Sequence, residues 1–215
     1  IFLRELLRRL KEEKNFLERL KEVIDERRGE LSRMRSGWIV GLQEEARKRW
    51  NQKPIAALRL FSEMAQVLND QDFVLTNHSA RLQELRFLNC AHFNQFLGRR
   101  RFGGVGNSLP ASLGAALALK GSGKICVGIQ PDGDFLFNPG TLWTAAHYEI
   151  PLLMILFNNR SYYNDEEHQG VMAIRRGRPV ENKTIGIRTE KPEIDFVHIA
   201  RGYSVRGFGP VTEPD

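Results

Sequence analysis

Two short polar stretches in this 215-residue chain carry residue types that hold a divalent cation. The first lies in "IQPDGDFLF" (129–137), where Asp132 and Asp134 flank Gly133 directly after the apolar run "KICVGIQ". The second is Asn158-Asn159, directly after the apolar run "PLLMILF". Carboxylate and amide oxygens are hard donors of the sort Mg2+ and Ca2+ prefer. A glycine between them lets the backbone approach a phosphate, and the amides opening a following helix add favourable dipoles. Mg2+ typically takes few protein ligands and completes its shell with phosphate oxygens. Asp132, Gly133 and Asn159 therefore suit a metal–diphosphate pair. Pro-Asp-Gly-Asp is also ordinary turn chemistry, and on its own the first stretch reads as a turn.

The elements that would position these residues follow from the hydrophobic pattern. "DFVLT", "KICVGIQ" and "PLLMILF" are short apolar runs, as strands covered on both faces should be. "PIAALRLFSEMAQVLN", "SLPASLGAALALK", "NPGTLWTAAHYEI", "DEEHQGVMAIR" and "IDFVHIARGY" read as helices between and around them, and "SVRGF" as a last strand. This alternation predicts a doubly wound α/β fold, a mostly parallel sheet with helices on both faces. Such sheets bind ligands beyond the carboxyl ends of their strands. Asp132 and Asn159 both fall there, one crossover apart.

Ahead of this part, residues 1–53 read differently. Leu3, Leu6, Leu7, Leu10, Phe16, Leu17, Leu20, Val23 and Ile24 mark one face of a helix that runs to about Glu26 and loses its spacing around Glu12 to Asn15. "RRGELSRMRSGW" and "RWNQKP" read as connectors around a second helix, Val40 to Arg49. Residues 1–53 are thus expected to be the helical tail of a preceding domain plus a linker, and 54–215 the α/β domain, cut short at its C-terminus.

Bulk properties narrow the classes. With 41% hydrophobic and 27% charged residues the chain is globular rather than disordered. Two cysteines, Cys90 and Cys126, make neither a disulfide framework nor a CxxC metal pattern. No apolar run approaches the roughly 20 residues needed to span a bilayer, and a cytoplasmic setting is expected. The net charge of +6 and pI near 9.5 raise nucleic-acid binding as a remote alternative. Much of the excess, however, sits in the first fifty residues among alternating Glu, as on a solvated helix face. Only Arg99-Arg100-Arg101 forms a short basic run, which an exposed loop also explains.

Taken together, these stretches resemble the thiamine-diphosphate-dependent 2-oxo-acid enzymes, on the acetolactate synthase and benzoylformate decarboxylase branch. The family signature is Gly-Asp-Gly, an intervening helix and strand, then Asn-Asn. Here the chain reads "PDGDFLFNPGTLWTAAHYEIPLLMILFNN". Upstream, "GGVGNSLPASLGAALAL" resembles the branch's glycine-rich segment; downstream, "IDFVHIARGYSV" resembles its closing helix and strand. The resemblance runs from about Pro54 to the C-terminus. It implies thiamine diphosphate and Mg2+ as cofactors, with Asp132 and Asn159 binding the metal through side chains and Ser161 through its carbonyl. Gly133, Asp134 and Tyr162 would meet the diphosphate with backbone amides, and His78 and Ser79 match a further diphosphate contact loosely. The Gly103 carbonyl would take a hydrogen bond from the aminopyrimidine. Val105 would support the bend between the cofactor rings and offer its N–H.

The resemblance also implies an activity and partners. A small 2-oxo acid would be decarboxylated and the acyl carbanion protonated or transferred, by a homodimer or homotetramer. The acid that activates the aminopyrimidine belongs to a separate pyrimidine-binding domain, in the full-length chain or a partner subunit. No catalytic residue is expected in this chain, which reads as a fragment inactive alone; a non-catalytic module or one subunit of a split enzyme stays open. Several positions depart from the pattern. Pro131 replaces the first motif glycine, Asp134 and Asp165 add carboxylates near the phosphate end, and Ser204 stands where glycine is usual. The long polar segment 166–193 reads as a mobile lid or as a solvated loop, and its arginines could meet a substrate carboxylate. His147 and Trp143 read as surface or packing residues.

Overall fold

The computed structural model describes residues 2–77, 82–98 and 104–214. The chain divides into two compact units, residues 1–49 and 50–215. The first is helical: α1 (Phe2–Glu12) and α2 (Lys14–Lys48), the latter 35 residues long. The interruption at Glu13 falls where the apolar spacing breaks. The connector expected over residues 27–38 is instead continuous helix. Its composition explains this, because Arg, Glu, Leu and Met are good helix formers and no proline intervenes. Gly29, Gly37 and Gly41 each weaken it by about 1 kcal/mol relative to alanine, which is too little to break so long a run. Exposed ion pairs one turn apart, such as Arg28–Asp25 at 3.3 Å and Arg49–Glu45 at 3.1 Å, line its surface.

The second unit contains α3 (Ala57–Leu68), β1 (Phe73–Asn77), α4 (Leu82–Leu85), α5 (Ser108–Ala118), β2 (Ile125–Pro131) and α6 (Asp132–Phe135). It continues through α7 (Thr141–His147), β3 (Leu153–Phe157), α8 (Tyr163–Arg175) and α9 (Phe196–Gly202). The three strands form one parallel sheet in the order β1-β2-β3. Central β2 is buried from Cys126 to Gln130, as its uninterrupted apolar run predicts. Side chains alternate across it. Cys126 packs with Leu113, Ala116 and Ile150, and an added Cβ at Gly128 would meet Ser112, so this face carries α5. The opposite face carries α3, whose Phe61 stacks on Phe157 of β3 with ring centroids 6.1 Å apart. Helices thus cover both faces, as a doubly wound α/β sheet requires.

A second cluster fixes the far end of β3. Leu109, Phe135 and Leu142 pack with Met154, Leu156, Phe196 and Ile199, and Phe135 meets Phe196 edge-on at 5.6 Å. α6 is therefore pinned to the core through Phe135, while its first residues stay at the strand end.

The expected strand "SVRGF" does not form; residues 205–208 are irregular. Val205 still packs in the α9 cluster, so its burial is met without strand pairing. Ser204 adopts φ of +62° and its amide donates to the Arg201 carbonyl at 2.9 Å. The left-handed backbone there explains why glycine suits the position. Non-glycine residues carry roughly 1–2 kcal/mol of strain in that region, partly offset because glycine also loosens the unfolded chain. Ser204→Gly is expected to raise stability by up to about 1 kcal/mol, read from urea midpoints at constant slope; a clear loss would contradict the strain.

Candidate metal–diphosphate site

The site is built at the junction of β2 and α6. Pro131 is the last residue of β2, paired with Phe157 of β3, and its extended backbone (φ −78°, ψ 154°) makes it the cap of α6. Pairing with β1 has already ended at Gly128. A missing N–H is least costly at the end of a strand, so proline is tolerated where the family motif has glycine.

Asp132 follows, with 0% of its surface exposed. Its Oδ1 has no hydrogen-bond partner, and its Oδ2 accepts a long bond from the Thr189 hydroxyl at 3.4 Å. Burial pushes the carboxyl above its ordinary range, while the backbone amides of Gly133, Arg160 and Asn159 pull the other way. The register that pairs Pro131 with Phe157 brings the two sequence-predicted ligands, Asp132 and Asn159, to neighbouring strand ends. A buried carboxylate lacking a partner is costly, and a cation is the natural compensation.

The second loop is shaped by Arg160, whose φ of +57° turns the chain immediately after Asn159. Asn159 Oδ1 then accepts the Ser161 amide at 3.1 Å. Ser161 forms a single antiparallel bridge with Arg188, held by Tyr162 N–H to the Ile187 carbonyl at 3.1 Å and Thr189 N–H to the Arg160 carbonyl at 2.9 Å. In such a pair the N–H and C=O of Ser161 itself point away from Arg188, toward the side on which Asn159 lies. One carboxylate, one amide oxygen and one backbone carbonyl are a donor set that fits Mg2+ completed by phosphate and water. Among the described residues no cluster of three His, Cys, Asp or Glu side chains offers an alternative centre.

The remaining predicted residues fall as follows. An added Cβ on Gly133 would sit 2.7 Å from the Tyr162 ring, so only glycine permits that approach. Burial raises the Tyr162 phenol, with Asp132 and Asp134 adding to the shift. The Tyr162 amide is already bonded to Ile187, and its ring, rather than its N–H, is what lies against Gly133. The amides opening α6, including those of Gly133 and Asp134, have no acceptor within the helix. Val105 is 56% exposed in the turn preceding α5. His78, Ser79, Gly103 and Arg99–Arg101 lie outside the described residues. Asp165 is exposed in the first turn of α8, where a negative charge suits the helix dipole.

Sequence reasoning missed Thr189 and Glu166. Glu166 is 5% exposed and accepts the Ser161 hydroxyl at 2.9 Å, with Lys183 at 3.4 Å and Arg188 at 3.5 Å. The Ser161 hydroxyl above all, helped by Arg188 and Lys183, holds its carboxyl below the usual range despite burial. The segment expected to be a lid is therefore tied down at residues 187–189. Arg188 is engaged with Glu166 and Glu190, and Arg160 with Glu193 at 2.7 Å. A buried acid one turn into α8, facing a basic segment, was the available signal; which of several acids turned inward was not.

A parallel α/β domain whose adjacent strand ends present these oxygens and amides has the donor set of a cofactor-binding domain that takes a metal–diphosphate pair. Residues 77–215 match the family described as "Thiamine pyrophosphate enzyme, C-terminal TPP binding domain", and the chain belongs to that family. The family's cofactor is thiamine diphosphate, with Mg2+ its usual partner. The chain is 31% identical over 113 residues to benzoylformate decarboxylase of Pseudomonas aeruginosa, covering 53% of this chain and 19% of that protein. It is 29% identical over 164 residues to a probable acetolactate synthase large subunit of Methanocaldococcus jannaschii, covering 73% and 26%. Its structure superposes on a thiamine-diphosphate-dependent 4-hydroxybenzoylformate decarboxylase of Rhodococcus jostii with TM-score 0.58 and 30% identity, covering 74% of this chain and 28% of that one. The chain thus spans about a fifth to a quarter of the length of these curated relatives. No helix among the described residues is long and apolar enough to cross a membrane.

The raised Asp132 carboxyl carries a stability consequence. The fold favours the protonated form, so its contribution is best in acid and is lost as pH rises from the ordinary carboxylate value through the folded one. Asp132→Asn removes that penalty. Without metal the variant should be more stable than the parent at pH 7 and lose that advantage toward pH 3, in paired denaturant titrations. Added Mg2+ with diphosphate should stabilise only the parent.

Proposed function

We propose that this chain is the Mg2+- and diphosphate-binding domain of a thiamine-diphosphate-dependent enzyme. Its reaction would be decarboxylation of a 2-oxo acid, with the acyl carbanion protonated or transferred to an acceptor. The observation that carries the reading is the buried Asp132 carboxylate, with one unpartnered oxygen, packed against Asn159. The benzoylformate decarboxylase and acetolactate synthase relatives support the substrate class.

Asp132 and Asn159 would bind the metal through side-chain oxygens and Ser161 through its carbonyl. The Asn159 oxygen, now accepting the Ser161 amide, retains a second lone pair for this. Gly133 and Asp134 would present their amides to the diphosphate, and the Tyr162 ring would wall off one side. Val105, with Gly103, would set the angle at which the aminopyrimidine meets the thiazolium. Thiamine diphosphate supplies a carbon nucleophile and an electron sink, the chemistry that side chains lack. The protein's part is binding, orientation and exclusion of water. The acid that activates the aminopyrimidine would come from a pyrimidine-binding domain of the full-length chain or of a partner subunit, in a homodimer or homotetramer. Residues 1–53 would be the helical end of a preceding domain and its linker.

Calorimetry with thiamine diphosphate and Mg2+ tests the ligand assignment. Asp132→Ala and Asn159→Ala should each weaken binding by about tenfold or more, the scale on which a lost metal ligand acts. Chelation of Mg2+ should do the same to the parent protein. Equal heats for parent and both variants would overturn the assignment.

A further inference from the structure

Asp134 places a second carboxylate one residue beyond Gly133, where added negative charge opposes a diphosphate. Both of its oxygens are engaged on the protein side. Oδ1 accepts the Gly106 amide, and Oδ2 accepts Gln130 Nε2 at 3.1 Å. One turn on, Asn138 Nδ2 donates to the Gly106 carbonyl at 2.7 Å. The peptide groups on both sides of Gly106 are thus held by side chains from the single segment 134–138.

The contact is close. Gly106 has φ of +90°, and an added Cβ would run into Phe137 Cβ and lie 2.8 Å from Asn138 Nδ2. Gln130, whose amide orients the second oxygen of Asp134, is 0% exposed on β2. The chain of contacts therefore runs from the sheet core, through Gln130 and Asp134, to the peptide joining Val105 and Gly106. The amide that Asp134 holds belongs to the same peptide unit as the Val105 carbonyl.

We infer that Asp134, with Asn138, is a positioning residue that clamps the Gly104–Gly106 turn to the start of α6. The loop that carries Asp132 and Gly133 and the loop that presents Val105 then form one body. Resting on the function proposed above, this means that the distance between the phosphate-binding and ring-binding halves of the cofactor site is set by carboxylate and amide side chains. It also accounts for the extra charge: two donors satisfy the carboxylate and turn it toward the 104–106 turn.

Two measurements on the full-length protein test the clamp, using Asp134→Ala, Asp134→Asn and Asn138→Ala. The first is hydrogen exchange across residues 104–108 without ligand. Asp134→Ala and Asn138→Ala should speed exchange at Gly106 about tenfold or more at an unchanged unfolding midpoint. Asp134→Asn, which keeps an acceptor oxygen, should restore most of the protection. Unchanged Gly106 exchange in both alanine variants would overturn the clamp. Asn138 is exposed, so its variant still decides the matter if Asp134→Ala unfolds.

The second compares affinities, in Mg2+, for inorganic diphosphate and for thiamine diphosphate. Inorganic diphosphate fills only the phosphate half, so Asn138→Ala should leave its binding unchanged. Thiamine diphosphate should bind about tenfold more weakly. Equal weakening of both ligands, or of neither, would overturn the positioning role. If the parent bound neither, the proposed function would fall, while the exchange result would still decide the clamp.

Discussion

Much of the second unit is organised around a single carboxylate that is buried with nothing to satisfy one of its oxygens. Asp132 sits between the last residue of β2 and the first turn of α6, with none of its surface exposed. Removing such a group from water without a partner is strongly unfavourable, so the surrounding backbone is turned toward it. The backbones of Gly133, Asn159 and Arg160 lie close enough to favour its ionised form, and Arg160 adopts a left-handed backbone that turns the second loop there. Phe135 holds α6 against the core. The parallel register that pairs Pro131 with Phe157 then delivers Asn159 beside Asp132.

Three carboxylates lie around this point, and the structure treats each differently. Asp132 is left open on one oxygen, which suits a cation. Asp134 is turned toward the Gly106 amide and Gln130, so its charge serves the architecture of a neighbouring loop. Glu166 is buried but paired, accepting the Ser161 hydroxyl and lying beside the Lys183 and Arg188 cations. The last contact fastens the basic segment after α8 onto the loop that carries Asn159, since Arg188 also bridges Ser161 through the backbone. Acidic and basic residues that are crowded in sequence are thus sorted by which of them face the same point in space.

What could be read from the chain alone was whatever depends on local pattern. The apolar runs at 125–130 and 153–157 determined two strands, and the helix-period segments around them determined a covered parallel sheet. Strand ends are where such sheets bind ligands, so Asp132 and Asn159 were legible as a pair, as was the close approach allowed by Gly133. Local pattern also misled. The charged stretch 27–38, with Gly29 and Gly37 in it, reads as a connector, yet Leu31, Met34 and Trp38 keep a helical spacing and its helix-forming residues continue α2. "SVRGF" has strand composition, but Val205 finds its burial against α9 without any pairing.

Only the tertiary structure decided which polar groups meet across the fold. Thr189 reaches Asp132 from 57 positions away, and Asp134 reaches Gly106 across 28. Nothing in the spacing of either pair announces the contact, because a hydrogen bond between distant segments requires both backbones to be placed to within a fraction of an ångström. The sequence by itself determined the residue types at the strand ends, since burial period and turn chemistry are local properties. Whether Asp132 was a turn residue or a buried, partnerless carboxylate depended on what packed over it, and that was settled by the register of β2 against β3.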